Sequence, residues 1–168
     1  MIEIRWAKLE DAQDLGFVHS ESYRAAYKGI IPDEYLNQCT PIVRERYFYK
    51  ALIQGTEQIA IMLVDNKAVG CMILKACSDI DLQQCGGEIS AIYLLQNYRG
   101  MGLGKHLLNW GIDKFKELGY GIAFLWVLKD NKNAIRFYEY QHFLCDGTER
   151  QIYRGRNLIQ IRYQKTLI

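Results

Sequence analysis

Apolar and polar residues alternate over residues 2–6, the period of a half-buried strand. The period then lengthens. Leu9-Glu10-Asp11 opens a helical stretch to about Tyr27, with Asp11 as its N-cap and Leu15, Val18, Ser22 and Ala25 or Ala26 on one face. Gly29 ends that stretch, and Pro32-Asp33-Glu34 starts a short helical turn through Leu36. Thr40 followed by Pro41 reads as an N-cap with proline at the first helical position, leading a helix to about Ile53. Strands are predicted over residues 58–64 and 68–76, joined by a hairpin turn at Asp65-Asn66-Lys67. Cys85-Gly86-Gly87 punctuates the chain before a further strand over residues 88–95.

An amphipathic helix is predicted over residues 102–118, with Leu103, Leu107, Gly111, Phe115 and Leu118 on its apolar face. Residues 122–128 are almost unbroken in apolarity, as a strand covered on both sides must be. Residues 131–141 read as a helix with Ala134, Phe137 and Tyr138 turned inward, and residues 158–163 as a last strand. One more short strand fits near residues 143–145. Helices and strands in this order predict an α/β fold built on a mixed sheet.

Composition changes the picture little. A chain of 168 residues, 49% hydrophobic and with two prolines, fits one globular domain over residues 1–168. No apolar stretch reaches transmembrane length and no charged-then-apolar leader opens the sequence, so a soluble cytoplasmic protein is expected. The net charge of +2 is too small to announce a nucleic acid or a membrane as partner. Its distribution is uneven: residues 1–40 hold seven acidic and four basic side chains, residues 129–168 four acidic and eight basic. An acidic front favours a cationic substrate and a basic tail an anionic ligand. Cys39, Cys71, Cys77, Cys85 and Cys145 form no C-x-x-C pair, which speaks against a metal site or a disulfide framework. Cys71 and Cys77 fall in an apolar strand pattern and read as small buried hydrophobes.

The informative segment is Arg99-Gly100-Met101-Gly102-Leu103-Gly104-Lys105, between a strand and an amphipathic helix. Glycines let the backbone fold close around a ligand and turn successive N–H groups into one concavity. The first amides of the following helix have no internal partner and carry the positive end of its dipole. With Arg99 and Lys105 these groups make a pyrophosphate site. A Walker loop needs four residues between its glycine and Gly-Lys, followed by Ser or Thr; Gly100 and Gly104 enclose three, and His106 follows Lys105. A Rossmann loop needs a third glycine where Leu107 stands.

Arg99-x-x-Gly102-x-Gly104, preceded by Ile92-Tyr93-Leu94, resembles the acyl-CoA signature of the GNAT superfamily of N-acetyltransferases. Asn131-x-x-Ala134-x-x-Phe137-Tyr138-Glu139 is similar to that family's later motif at the expected distance. Residues 23–36 resemble the first helical segment of a bacterial branch of small acetyltransferases, which also tends to carry an Asp-Gly turn before its last strands, as in Asp146-Gly147. His142-Phe143 stands where the family usually has Gly-Phe. The resemblance covers nearly the whole chain. It implies a single mixed, mostly antiparallel sheet with splayed strands flanked by helices, and acetyl-CoA as acyl donor. It also implies CoA contacts from Ile92, Tyr93, Leu94, Arg99, Gly100, Met101, Gly102, Leu103, Gly104, Lys105, Asn131, Ala134 and Tyr138. The Leu94 N–H takes the oxyanion role by resemblance, and Tyr23, Tyr27, Asp33, Glu34 and Tyr35 line the acceptor cavity. Dimers are common among similar proteins, so the resemblance allows a homodimer, while the sequence itself sets no oligomeric state.

Acetyl transfer to an amine faces a protonation problem: an alkylammonium is only about 0.04% neutral at pH 7. A base is therefore useful, as is a proton donor for the departing thiolate. Tyr138 is the leading acid, since its hydroxyl is a donor at neutral pH. Glu88 is the leading base, acting through water; the two-residue period puts it on one face with Ser90, Ile92 and Leu94. His19 is a rival base, and His106 falls near phosphate or solvent. The acidic front tilts the acceptor towards a small cationic amine such as a polyamine. A non-catalytic acyl-CoA sensor or interaction module, or an acetyltransferase of protein N-termini, is the alternative. No metal is expected.

Overall fold

The computed structural model describes residues 1–82 and 86–167; Cys85, read above as part of a punctuating segment, lies outside them. Strand β1 (Ile2–Trp6) leads through a single 3-10 turn into α1 (Ala12–Tyr27), α2 (Asp33–Leu36) and α3 (Pro41–Gln54). Strands β2 (Gln58–Val64), β3 (Lys67–Ala76) and β4 (Gly86–Leu94) follow, then α4 (Leu103–Glu117), β5 (Ile122–Leu128), α5 (Lys132–Tyr140), β6 (Leu144–Tyr153) and β7 (Asn157–Thr166). The seven strands form one sheet in the order β1-β2-β3-β4-β5-β7-β6. Every neighbouring pair is antiparallel except β4 and β5.

Local chemistry accounts for most boundaries. The Thr40 hydroxyl accepts from the Val43 amide, Pro41 occupies the first turn of α3, and Gly55 closes that helix in the left-handed conformation. Asp65 and Asn66 both take positive φ and close the β2–β3 hairpin. Asp11 departs from the expected cap: its carboxylate accepts instead from the Lys8 amide and the Arg5 guanidinium. Leu118 falls just past α4 and is exposed. Cys77 lies beyond the end of β3, its thiol hydrogen-bonded to the backbone of Asp79, whereas Cys71 is fully buried as expected. The largest difference is β6, ten residues long where a short strand was foreseen. Its sequence is polar because it is an edge strand with most side chains in water, and so it carries no strong apolar alternation. Asp146-Gly147 is an irregularity inside β6 rather than a turn before it.

Helices cover both faces. Leu15 and Val18 of α1 and Phe48 of α3 pack on Ile59, Ile61, Cys71 and Ile73 of the sheet. The two helices approach so closely at Gly16 that an added Cβ would lie 2.6 Å from the Glu45 amide nitrogen. On the other face Leu103, Leu107, Leu108 and Phe115 of α4 pack on Met72, Leu74, Ala123 and Leu125, joined by Phe137 and Tyr138 of α5.

Two features open the centre of the sheet. β4 and β5 pair only over Gly86–Glu88 with Ile122–Phe124 and then separate. Immediately beyond that point β4 bulges: Ile73 faces Ala91 and Leu74 faces Ile89, leaving Ser90 as an extra residue. A bulge bends and twists its strand, which turns β4 away from β5. On β7, Arg162 is almost fully buried and binds Asp79 and Asp81 of the β3–β4 connection together with Asp146 of β6. This clamp ties the connection that leads into β4 to the far half of the sheet.

Candidate active site

The strand edge freed by the splay is chemically exposed. The Leu95 amide donates to the Val69 carbonyl on β3. Alternation along an antiparallel strand then sends the Leu94 N–H to the opposite edge, towards β5, where pairing has already stopped. Directly after it the chain turns through Gly100 and Gly102, at φ +78° and +79°. An L side chain rarely adopts that conformation, and a Cβ at either position would meet open space. His106 is the first residue of the helix start to bond back, to the Gly102 carbonyl. The amides of Leu103, Gly104 and Lys105 therefore sit at the α4 N-terminus as free donors. Gly104 also lets the α5 ring of Phe137 come close, 3.2 Å from an added Cβ. Lys105 and His106 are exposed beside the loop, and the Arg99 guanidinium reaches back to the Ser22 carbonyl at 3.5 Å.

Three phenols gather where the strands part. The hydroxyls of Tyr27 (α1) and Tyr93 (β4) lie 3.4 Å apart. Tyr138 of α5 joins them from the opposite face, its ring set against Phe137 and Phe143. Burial first, and the Tyr27 hydroxyl second, push the Tyr138 phenol well above its ordinary range. Burial does the same for Tyr93. Both are thus firmly protonated donors at neutral pH. Asn131 caps α5 through its side-chain oxygen to the Ala134 amide at 3.3 Å. At the other end of α5, His142 takes the left-handed conformation, φ +69°, so the turn that glycine usually makes is made by histidine.

The Acetyltransferase (GNAT) family matches residues 21–143 of this chain. An uncharacterized N-acetyltransferase of Bacillus subtilis, YuaI, is 30% identical over 142 residues, covering 83% of this chain and 79% of its own length. The chain belongs to the GNAT acetyltransferase family. It is an N-acetyltransferase with acetyl-CoA as acyl donor. A spermidine N(1)-acetyltransferase of Thermoplasma acidophilum is 26% identical over 156 residues, covering 88% of this chain and 91% of its own. The fold matches that of PaiA N-acetyltransferase from the same organism in complex with coenzyme A, with a TM-score of 0.79, 23% identity and 99% of both chains covered.

On the α1–α3 side of the splay, the acetyltransferase has a cleft of about 480 Å³. His19, Tyr23, Tyr35, Arg44, Tyr93 and Arg154 supply its polar walls. Tyr23 and Tyr35, expected at the acceptor cavity, line this cleft, and Tyr27 adjoins it through Tyr93. Asp33 and Glu34 are not: both are exposed at the start of α2 and outside the cleft lining. Indeed none of the seven acidic side chains of residues 1–40 lines the cleft, so the acidic front does not become an acidic pocket. Tyr93, expected on the CoA side, turns its ring to the cleft, where it packs edge-on against His19 with centroids 4.8 Å apart. Burial, then Arg44 and Arg154, push His19 down to about 3. A proton acceptor that weak is a poor base at pH 7, which favours Glu88 over His19 in that role.

Glu88 also differs from expectation. The bulge at Ser90 interrupts the two-residue period, so Glu88 shares a face with Ala91 and Tyr93, not with Ile92 and Leu94. It therefore faces the same side as the cleft. It is buried, its Oε2 has no hydrogen-bond partner, and Lys75 Nζ stands 3.8 Å away. Burial raises the Glu88 carboxyl above the usual range, against the pull of Lys75. Arg44 and Arg154 went unseen in the sequence. The Tyr153-Arg154-Gly155-Arg156 run within the basic tail was the one available signal.

Proposed function

We propose that this acetyltransferase acetylates a small primary amine by direct attack on the thioester. The donor's pyrophosphate sits on residues 99–105, and its thioester lies between the parted strands β4 and β5. The amine lone pair forms the new N–C bond, the C–S bond breaks, and the ammonium proton leaves through water to Glu88. Tyr138 returns a proton to the thiolate, while the Leu94 N–H stabilises charge on the thioester oxygen; one such donor contributes on the order of 3 kcal/mol to the barrier. Asn131 and Ala134 place the start of α5 against the pantetheine arm. The observation that carries the reading is the meeting of the protonated Tyr138 phenol, the free β4 edge and the glycine loop at one end of the splay.

A thiol-release assay with acetyl-CoA over amino acids, polyamines, aminoglycosides and N-terminal peptides tests it. Release with at least one small amine is expected. Normal CoA binding with no release would instead establish an acyl-CoA sensor. A polyamine acceptor is the second reading, supported by the Thermoplasma relative named for spermidine.

The pH profile tests Glu88. Because burial raises its carboxyl, the basic form appears only above a pH higher than an ordinary glutamate requires. kcat/KM is expected to climb through that pKa and level off above it. Glu88→Gln should flatten this acidic limb and lower the plateau on the order of 100-fold. An unchanged limb in the variant would assign the base elsewhere.

A further inference from the structure

The cleft carries two cations that no carboxylate among the described residues pairs with. Among the described residues, neither Arg44 nor Arg154 has a carboxylate within 4.0 Å, although the same chain pairs Arg5, Arg24 and Arg162 with acids. What holds them is uncharged. Arg154 Nη1 donates to the Tyr23 hydroxyl at 3.0 Å. The Arg44 guanidinium lies 4.1 Å from the centre of the Tyr47 ring, with its Nε buried and lacking an acceptor. Arg44 Nη2 lies 3.4 Å from His19 Nε2, and both arginines line the cleft together with His19. Neutral His19 adds no third charge there and takes none away.

We propose that the acceptor is a primary amine bearing a carboxylate, of the amino-acid class, whose carboxylate is bound by Arg44 and Arg154. This rests on the acetyl-transfer reading above and names its substrate class. Guanidinium forks match a planar carboxylate through paired, charge-assisted hydrogen bonds. Glu88 is not part of the cleft lining, but it lies on the same face of β4 as Ala91 and Tyr93, which are. A zwitterion is therefore matched at both ends: its anion meets the arginines, and its ammonium lies towards the carboxylate that removes the proton. A polyamine would instead bring a second ammonium beside two guanidinium groups, a like-charge arrangement that discriminates against it.

The test measures kcat/KM for thiol release with amino acids, their matched carboxamides and spermidine, at saturating acetyl-CoA. The best amino acid is expected to exceed its carboxamide on the order of 10- to 100-fold, the value of a hydrogen-bonded charge. In Arg154→Gln and Arg44→Gln that ratio should collapse towards one, through KM rather than kcat, with CoA binding by calorimetry unchanged. Arg154→Lys should restore part of the ratio, since it keeps the charge and loses the fork. Carboxamides equal to acids, a ratio untouched by both glutamine variants, or preference for spermidine would each overturn the proposal while leaving acetyl transfer intact. Thiol release with no amine at all would overturn the acetyl-transfer reading itself, and this proposal with it.

Discussion

Gly102→Val is expected to lose CoA binding by 100-fold or more on the order-of-magnitude scale, measured by calorimetry, while the protein stays folded. The residue sits at φ +79°, and an added Cβ touches nothing within 4 Å, so no packing is disturbed. The cost lies in the backbone. For a β-branched residue this conformation is a genuine outlier, unfavourable by roughly 1–2 kcal/mol. The loop can escape only by rotating to negative φ, which swings the neighbouring amides away from the concavity above the α4 N-terminus. If the loop resists rotation, the valine methyls fill the open space that a pyrophosphate needs. Either route removes several charge-assisted contacts at once, and each tenfold loss corresponds to about 1.4 kcal/mol. Gly102→Asn separates the two routes, because asparagine tolerates left-handed backbone better than other non-glycine residues. It should retain more affinity than the valine variant. Normal CoA binding by Gly102→Val would place the pyrophosphate somewhere else.

That loop was legible because its chemistry is local: the glycines, Arg99, Lys105 and the helix they start are consecutive. The same holds for the Thr40-Pro41 cap, the Asp65-Asn66 hairpin and the apolar run of β5, each set by neighbours a few positions away. Glu88 shows where this stops. Its position as a carboxylate at the start of β4 was readable, but its burial and its face were not. Ser90 bulges only because β4 pairs with β3 across a shifted register, and a single inserted residue reverses every side chain on one side of it. The polar sequence of β6 hid a strand whose pairing comes from β7 alone. The cleft is the extreme case. Arg44 rides on α3 and Arg154 sits in the turn between β6 and β7, so their meeting is a property of the sheet order and not of any segment. The acidic surplus over residues 1–40 forms no acidic cleft for the converse reason: those side chains are close in sequence but point to solvent or to Arg5 and Arg24.

Tyr138→Phe is expected to lower kcat by a factor on the order of 100 to 10,000, the range assigned to a positioned proton donor. CoA affinity should change little, because the ring stays. Its packing, with centroids 5.4 Å from Phe137 and 5.9 Å from Phe143, does not involve the hydroxyl, and thermal unfolding should stay near that of the unaltered protein. The loss then reports the proton alone. Two neighbouring phenols provide an internal control. Tyr27 and Tyr93 share the splay and bond each other, yet Tyr93 is turned to the cleft, where it packs against His19. Their phenylalanine variants should cost less in kcat than Tyr138→Phe. The pH dependence is also constrained. Since burial holds the Tyr138 phenol above the ordinary tyrosine range, its deprotonation should impose no fall in kcat between neutral pH and pH 10. The thiolate needs its proton as the C–S bond breaks, so a Tyr138→Phe enzyme should depend on the leaving group's basicity more steeply than the unaltered one. Unchanged kcat in this variant would remove Tyr138 as the acid and leave the proton to reach the thiolate from solvent.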